Sequence, residues 1–208
     1  MTRIIGGSAG GRKLQTPTGD ATRPTSDRVR EALFSTLESQ LGSLHGLRFL
    51  DLYAGSGAVG LEAGSRGAVA VTLVESDRRT ARIAQANATS LGIPADVLAQ
   101  PVARVLARTT TSGAPRTPYD VVFADPPYPL SDDDLAEALA LLVREEWLSP
   151  GATVVVERSA RSVEPRWPVG LEPLAGGKAT KRYGETMLWY VRRAGSTEAE
   201  HAESTDEI

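Results

Sequence analysis

The chain has 208 residues, no cysteine, two isolated histidines (His45 and His201) and a formal net charge of −3. That length fits one α/β domain with small extensions. The lack of cysteine excludes a disulfide scaffold, a thiolate metal site and a cysteine nucleophile, and no metal is expected. No apolar run approaches the roughly 20 residues of a membrane span. The start, Met1-Thr-Arg-Ile-Ile-Gly-Gly, has no apolar signal core, so a cytoplasmic protein with no membrane partner is expected.

The elements follow in chain order. Residues 1–22 are rich in Gly, Thr and Pro and read as a small hairpin or arm. Thr25 or Ser26 can cap a helix whose apolar positions Val29, Leu33, Leu37 and Leu41 repeat at i+4. From Leu47 the pattern becomes strand, glycine loop, helix, repeated. Strands are predicted at Phe49–Leu52, Val69–Val74, Val97–Leu98, Tyr119–Ala124 and Thr153–Glu157. Helices are predicted at Ala58–Arg66, Arg78–Leu91, Val102–Arg108 and Leu135–Leu148. That alternation implies a parallel sheet with helices on both faces. Leu171–Leu174 and Thr186–Arg192 have no helix between them and should close the sheet as an antiparallel pair. Trp147, Trp167 and Trp189 are expected in packing roles. Three segments result: a basic arm over 1–45, an α/β domain over 46–194 and a disordered acidic tail over 195–208.

The whole-chain charge conceals a division. Residues 1–30 carry six basic and two acidic groups, residues 31–157 nine and sixteen, residues 158–194 eight and three, and the tail five acidic groups with no Lys or Arg. Two basic segments therefore flank an acidic middle.

Gly55-Ser-Gly57-Ala-Val-Gly60 matches G-x-G-x-x-G between a strand and a helix, and Glu75 closes the next strand. Glycines let a ligand approach the backbone, and a carboxylate there can accept both ribose hydroxyls. This pattern suits a nicotinamide dinucleotide or S-adenosylmethionine alike. Asp51, four residues before Gly55, favours the second. It would repel a pyrophosphate on the helix N-terminus but attract the methionine ammonium.

Asp125-Pro126-Pro127-Tyr128 follows the fourth strand, where an open α/β sheet delivers residues to its ligand crevice. Two prolines stiffen the turn and leave the Pro126 carbonyl free to accept. The Asp125 carboxylate and that carbonyl can hold the two N–H groups of a ring amine and stabilise the charge that grows as it attacks a methyl group. Tyr128 can stack on the base.

These residues resemble class I S-adenosylmethionine-dependent methyltransferases, with a Rossmann-like, mostly parallel seven-stranded sheet, a terminal antiparallel strand and here an N-terminal hairpin and helix. Arg3-Ile-Ile-Gly-Gly, Gly11-Arg-Lys-Leu, Arg23-Pro-Thr-x-Asp-Arg-Val-Arg-Glu-Ala-Leu-Phe34, the stretch Asp51–Ala63 and Lys181-Arg-Tyr-Gly-Glu-Thr186 narrow the resemblance to the RsmD family. It implies methylation of N2 of one guanine in the 16S rRNA of the small ribosomal subunit; a monomer is expected, since no extra hydrophobic surface demands a dimer. The implied cofactor set is Asp51, the loop Tyr53-Ala54-Gly55-Ser56-Gly57, Glu75 with Ser76, and Gln100; Tyr53 stands where Phe is commoner. The implied amine site is Asp125, Pro126 and Tyr128. Arg3, Arg12, Lys13, Arg23, Arg28 and Arg30, with Lys181 and Arg182 from the second basic segment, are candidates for RNA phosphates. DNA adenine-N6 methylation and a non-enzymatic assembly role are the alternatives. The first lacks room for a target-recognition domain, and the second leaves the intact carboxylates without purpose.

Overall fold

A computed structural model describes residues 2–17, 26–108, 117–174 and 179–195. Short apolar strands alternate with helices as the periodicity predicts: β1 (Arg48–Leu52), β2 (Ala70–Val74), β3 (Asp96–Leu98), β4 (Tyr119–Ala124), β5 (Leu148–Ser159), β6 (Leu171–Pro173), β7 (Thr180–Tyr183) and β8 (Thr186–Arg193). The helices are α1 (Asp27–Leu41), α2 (Ala58–Ser65), α3 (Arg78–Leu91), α4 (Val102–Leu106) and α5 (Asp132–Arg144). The sheet order is β3-β2-β1-β4-β5-β8-β6, with β7 also paired to β8. Strands β1 to β5 run parallel, and β6, β7 and β8 pair antiparallel.

Alternate strand residues feed opposite faces. Leu50, Leu52, Val122, Ala124, Val154 and Val156 pack with α4 and α5. Phe49, Val121, Phe123 and Val155 pack under α1, whose Leu33, Phe34 and Leu37 are fully buried. α2 and α3 cover Val71 and Leu73. Strand order reverses between β1 and β4, and ligand crevices in open α/β sheets form at the strand carboxyl ends beside such a reversal. Trp147, Trp167 and Trp189 all pack against the core, as expected.

Three elements differ from the sequence prediction. The fifth helix begins at Asp132 rather than Leu135, because the Ser131 hydroxyl accepts from Asp134 N–H at 3.0 Å and three aspartates occupy the first turn, where the helix dipole favours them. It ends at Arg144, since Glu146 has a positive φ of 54° and Leu148 pairs with Tyr119 at the start of β5. The sheet has eight strands rather than the seven expected: the additional strand, β7, has weak apolar character and forms a hairpin with β8 across Gly184 (φ 61°) and Glu185.

The N-terminal arm is a hairpin closed by Ile4 N–H to Arg12 C=O at 2.9 Å, Gly11 N–H to Ile4 C=O at 2.8 Å and Leu14 N–H to Thr2 C=O at 2.9 Å. Its Ile4, Ala9 and Leu14 share one core with α2 and α3. The arm is also held by a charge. Glu62 on α2, fully buried, accepts from Ile5 N–H at 2.7 Å, Gly6 N–H at 2.8 Å and Arg66 Nε at 2.8 Å. Arg66 in turn pairs with Glu38 and lies 5.0 Å from the Phe34 ring centroid, so α1, α2 and the arm meet at one buried carboxylate. Truncating one partner of such a buried network leaves the others unpaired. Glu62→Ala is expected to cost about 3–5 kcal/mol in urea denaturation, and Glu62→Gln, which keeps acceptor capacity, measurably less. No helix among the described residues is long and apolar enough to cross a membrane.

Candidate cofactor and amine site

The sheet brings the three predicted carboxylates to one edge. Asp51 lies in β1, Glu75 follows β2, and Asp125 follows β4. Asp51 is 2% exposed, and its Oδ2 accepts from Gly60 N–H at 2.8 Å. Its carboxyl is pushed up to about 8. Burial is the main cause; the Gly60 N–H opposes it, and the charges of Asp125 and Glu75 add to it. Gly60 has no room for a side chain: a Cβ would sit 2.3 Å from Leu73 Cδ2 and 3.2 Å from Asp51 Oδ2. This third glycine lets α2 close onto β1 and β2.

Glu75 holds the loop shape from the other side. One carboxylate oxygen accepts from Gly55 N–H at 2.9 Å, and the other from Asp77 N–H at 2.8 Å. Ser76 is exposed beside it, its hydroxyl 3.4 Å from the same carboxylate. Tyr53 has φ 62° and Gly55 φ 55°, so the loop turns sharply as it leaves β1. A Cβ on Gly55 would meet nothing within 4 Å, which leaves its backbone open to a ligand, and Ala54 and Ser56 flank it.

The residues fit S-adenosylmethionine. A carboxyl kept from ionising by burial, with like charges adding to the effect, gains most from a neighbouring cation, and the methionine ammonium is one. A dinucleotide phosphate would add negative charge to a crevice already crowded with it. Gln100, the residue expected near the adenine, accepts through its Oε1 from Arg108 at 2.6 Å.

At the amine end, Asp125 is half-buried, Pro126 is buried, and Leu130 N–H donates to Pro127 C=O at 2.9 Å to close the turn. Tyr128 is 75% exposed, one of four large apolar side chains so placed among the described residues. An exposed ring beside a carboxylate and a rigid carbonyl is an arrangement in which a planar amine can be gripped and stacked.

The basic candidates separate. Arg30 corrects an expectation: it is fully buried, donating to Asp27 at 2.6 Å and to Arg3 C=O at 2.7 Å, and cannot meet a phosphate. Arg12 donates to Leu91 C=O at 3.0 Å and to Ser90 C=O, so its guanidinium caps the end of α3. Arg3 lies 3.5 Å from Asp27 and stays 63% exposed. Lys13 and Arg28 are exposed and have no hydrogen-bond or ion-pair partner among the described residues. Lys181 Nζ donates to Thr36 Oγ1 at 2.9 Å, and the exposed Arg182 to Gly184 C=O at 3.1 Å. Arg23 lies outside the described residues. The sequence reading missed Glu62 and Asn87. Both sit on otherwise apolar helix faces, and a lone polar residue on such a face is the signal that would have found them.

This fold is that of the class I methyltransferases, and a solved Thermus thermophilus RsmC shares it (TM-score 0.57, 20% identity, 85% of this chain and 44% of that one). Residues 2–192 match the family described as conserved hypothetical protein 95. The curated Ribosomal RNA small subunit methyltransferase D of Escherichia coli K12 is 37% identical over 87% of this chain and 88% of its own, and that of Haemophilus influenzae 38% identical over 74% and 77%. The solved Escherichia coli protein yhhF superposes with TM-score 0.77 at 32% identity, over 93% of this chain and 98% of that one. The chain belongs to the RsmD family of S-adenosylmethionine-dependent methyltransferases.

The pH dependence of Asp51 follows from its environment. Its folded pKa of about 8 lies above the ordinary 3.8, so the free protein loses stability as pH rises between these values. Asp51→Asn is expected to remove that loss, giving a higher urea midpoint than wild type at pH 8 and a similar one near pH 4. Cofactor affinity by calorimetry should rise from pH 6 to pH 8 in wild type. In Asp51→Asn it should be weaker and lose that rise.

Proposed function

We propose that this protein transfers the methyl group of S-adenosylmethionine to the exocyclic N2 of one guanine in 16S ribosomal RNA, acting as a cytoplasmic monomer on the small subunit or its precursor. The observation that carries the reading is the convergence of Asp51, Glu75 and Asp125 at one sheet edge, with Asp125 near enough to raise Asp51. The names of the curated relatives support small-subunit rRNA as the substrate.

When bound, S-adenosylmethionine supplies an electrophilic methyl group on a sulfonium. Asp51, Tyr53 and the Ala54–Gly57 backbone hold the methionine half, Glu75 and Ser76 the ribose, and Gln100 the adenine. The guanine N2 lone pair is delocalised into the ring and is a poor nucleophile. Asp125 and the Pro126 carbonyl each accept one N–H, favour a pyramidal nitrogen and stabilise its growing positive charge. Tyr128 stacks on the base and aligns the nitrogen for in-line attack. Transfer would leave a surplus proton on the nitrogen, which Asp125 or water would take.

With labelled S-adenosylmethionine, label should enter naked 16S rRNA or unmethylated 30S particles and not DNA. Label in DNA alone would overturn the reading. Asp125→Ala is expected to lose transfer by at least a hundredfold while binding S-adenosylhomocysteine normally, since removing one such stabilising group costs about 10²–10³ in rate.

On the RNA side, Lys13 and Arg28 are exposed positive charges without a hydrogen-bond or ion-pair partner among the described residues, and Arg3, Arg12, Arg23, Lys181 and Arg182 are the further candidates. Lys13→Ala should lower RNA affinity and reduce the slope of log K against log[salt] by about one, the signature of one phosphate contact. Filter binding across a salt series checks this, and an unchanged slope would remove Lys13 from the interface.

A further inference from the structure

One polar side chain in the core serves neither the cofactor nor the amine directly. Asn87 is 2% exposed and lies on the face of α3 that buries Ala84, Ala88 and Leu91. Its amide makes three hydrogen bonds to backbone. Oδ1 accepts from Gln15 N–H at 2.9 Å, and Nδ2 donates to Gln15 C=O at 2.9 Å and to Ser56 C=O at 2.9 Å. Gln15 stands two residues after Lys13 in the arm, and Ser56 lies between Gly55 and Gly57 in the cofactor loop. A single buried amide thus joins the segment proposed to meet RNA to the loop proposed to meet S-adenosylmethionine. Asn is suited to this, because only a side chain with both a donor and an acceptor can satisfy the N–H and the C=O of one residue and still bond a second strand.

The two clients differ in rigidity. The loop turns through positive φ at Tyr53, Gly55 and Gly57, and it is tied elsewhere by Gly55 N–H to Glu75 and by Gly57 N–H to Ala54 C=O at 2.8 Å. The arm is anchored near its start by Glu62, and over Gln15–Pro17 the hydrogen bonds to the domain are those to Asn87. The Ser56 carbonyl, the Asn87 amide and the Gln15 backbone therefore form one continuous path from the cofactor loop to the arm beside Lys13. A ligand that orders shared structure lowers the cost of ordering it for the next ligand.

We propose that Asn87 is a positioning residue that couples cofactor binding to RNA binding, so that each ligand binds more tightly when the other is present. The inference rests on the reading of the arm as an RNA-binding element. Its test is a binding cycle: affinity of wild type and Asn87→Ala for a 16S rRNA transcript, with and without saturating S-adenosylhomocysteine, at a temperature where circular dichroism shows both proteins folded. Wild type should bind the transcript about fivefold or more tightly with S-adenosylhomocysteine present, the lower range of common couplings. In Asn87→Ala both ligands should still bind separately, with the ratio reduced to one. Asn87→Asp, which keeps the acceptor for Gln15 N–H and loses both donated bonds, should behave like Asn87→Ala. A ratio of one in wild type, or an undiminished ratio in Asn87→Ala, would overturn the coupling alone. No RNA binding by wild type under any condition would overturn the RNA reading and the coupling with it.

Discussion

Three carboxyl groups converge where β1, β2 and β4 end, and the burial of Asp51 beside the other two is the constraint on which the site depends. Asp51 is the extreme case, because burial and two like charges leave it with only the Gly60 N–H as a compensating bond. Gly60 must be glycine for that bond to form, since any side chain would collide with Leu73 and Asp51 itself. Glu75 is managed differently, by backbone N–H groups of Gly55 and Asp77. The site is thus built around missing positive charge, and a sulfonium cofactor bearing an ammonium group supplies it.

The arm extends the same logic outward. Its positive charge is divided between structural and available groups. Arg30 and Arg12 are consumed by Asp27 and by the end of α3, whereas Lys13 and Arg28 face solvent. The arm does not form a core of its own: Ile4 and Leu14 are buried against α2 and α3, and Glu62 fixes its backbone. The segment proposed to meet RNA thus shares one core with α2 and α3.

Much of this was legible in the sequence. Strand ends β1, β2 and β4 were marked by Asp51, Glu75 and Asp125, because the apolar runs before them are short and their polar successors abrupt. The glycine loop declared itself by spacing. Other features depend on contacts between distant segments that no local pattern records. Arg30 looked equivalent to Arg28 on a basic helix start, and its burial against Asp27 and the Arg3 carbonyl distinguishes them. Arg12 looked like a free charge until the end of α3 came beside it. Asn87 sits in a helix of alanines, where its polarity was visible but its two clients, 72 and 31 residues away, were not. The β7 strand was missed because Thr180–Tyr183 lacks a clean apolar alternation and is held chiefly by its hairpin partner.

The account stands or falls on what the crevice methylates. The most direct measurement is the identity of the modified nucleoside after unmethylated 30S particles are incubated with the protein and S-adenosylmethionine, the RNA digested, and the products resolved by mass spectrometry. The expected result is N2-methylguanosine at a single site, absent with Asp125→Ala. N6-methyladenosine, or a methyl group on any other atom, would contradict the assignment of Asp125 and Pro126 as the grip on a guanine amine.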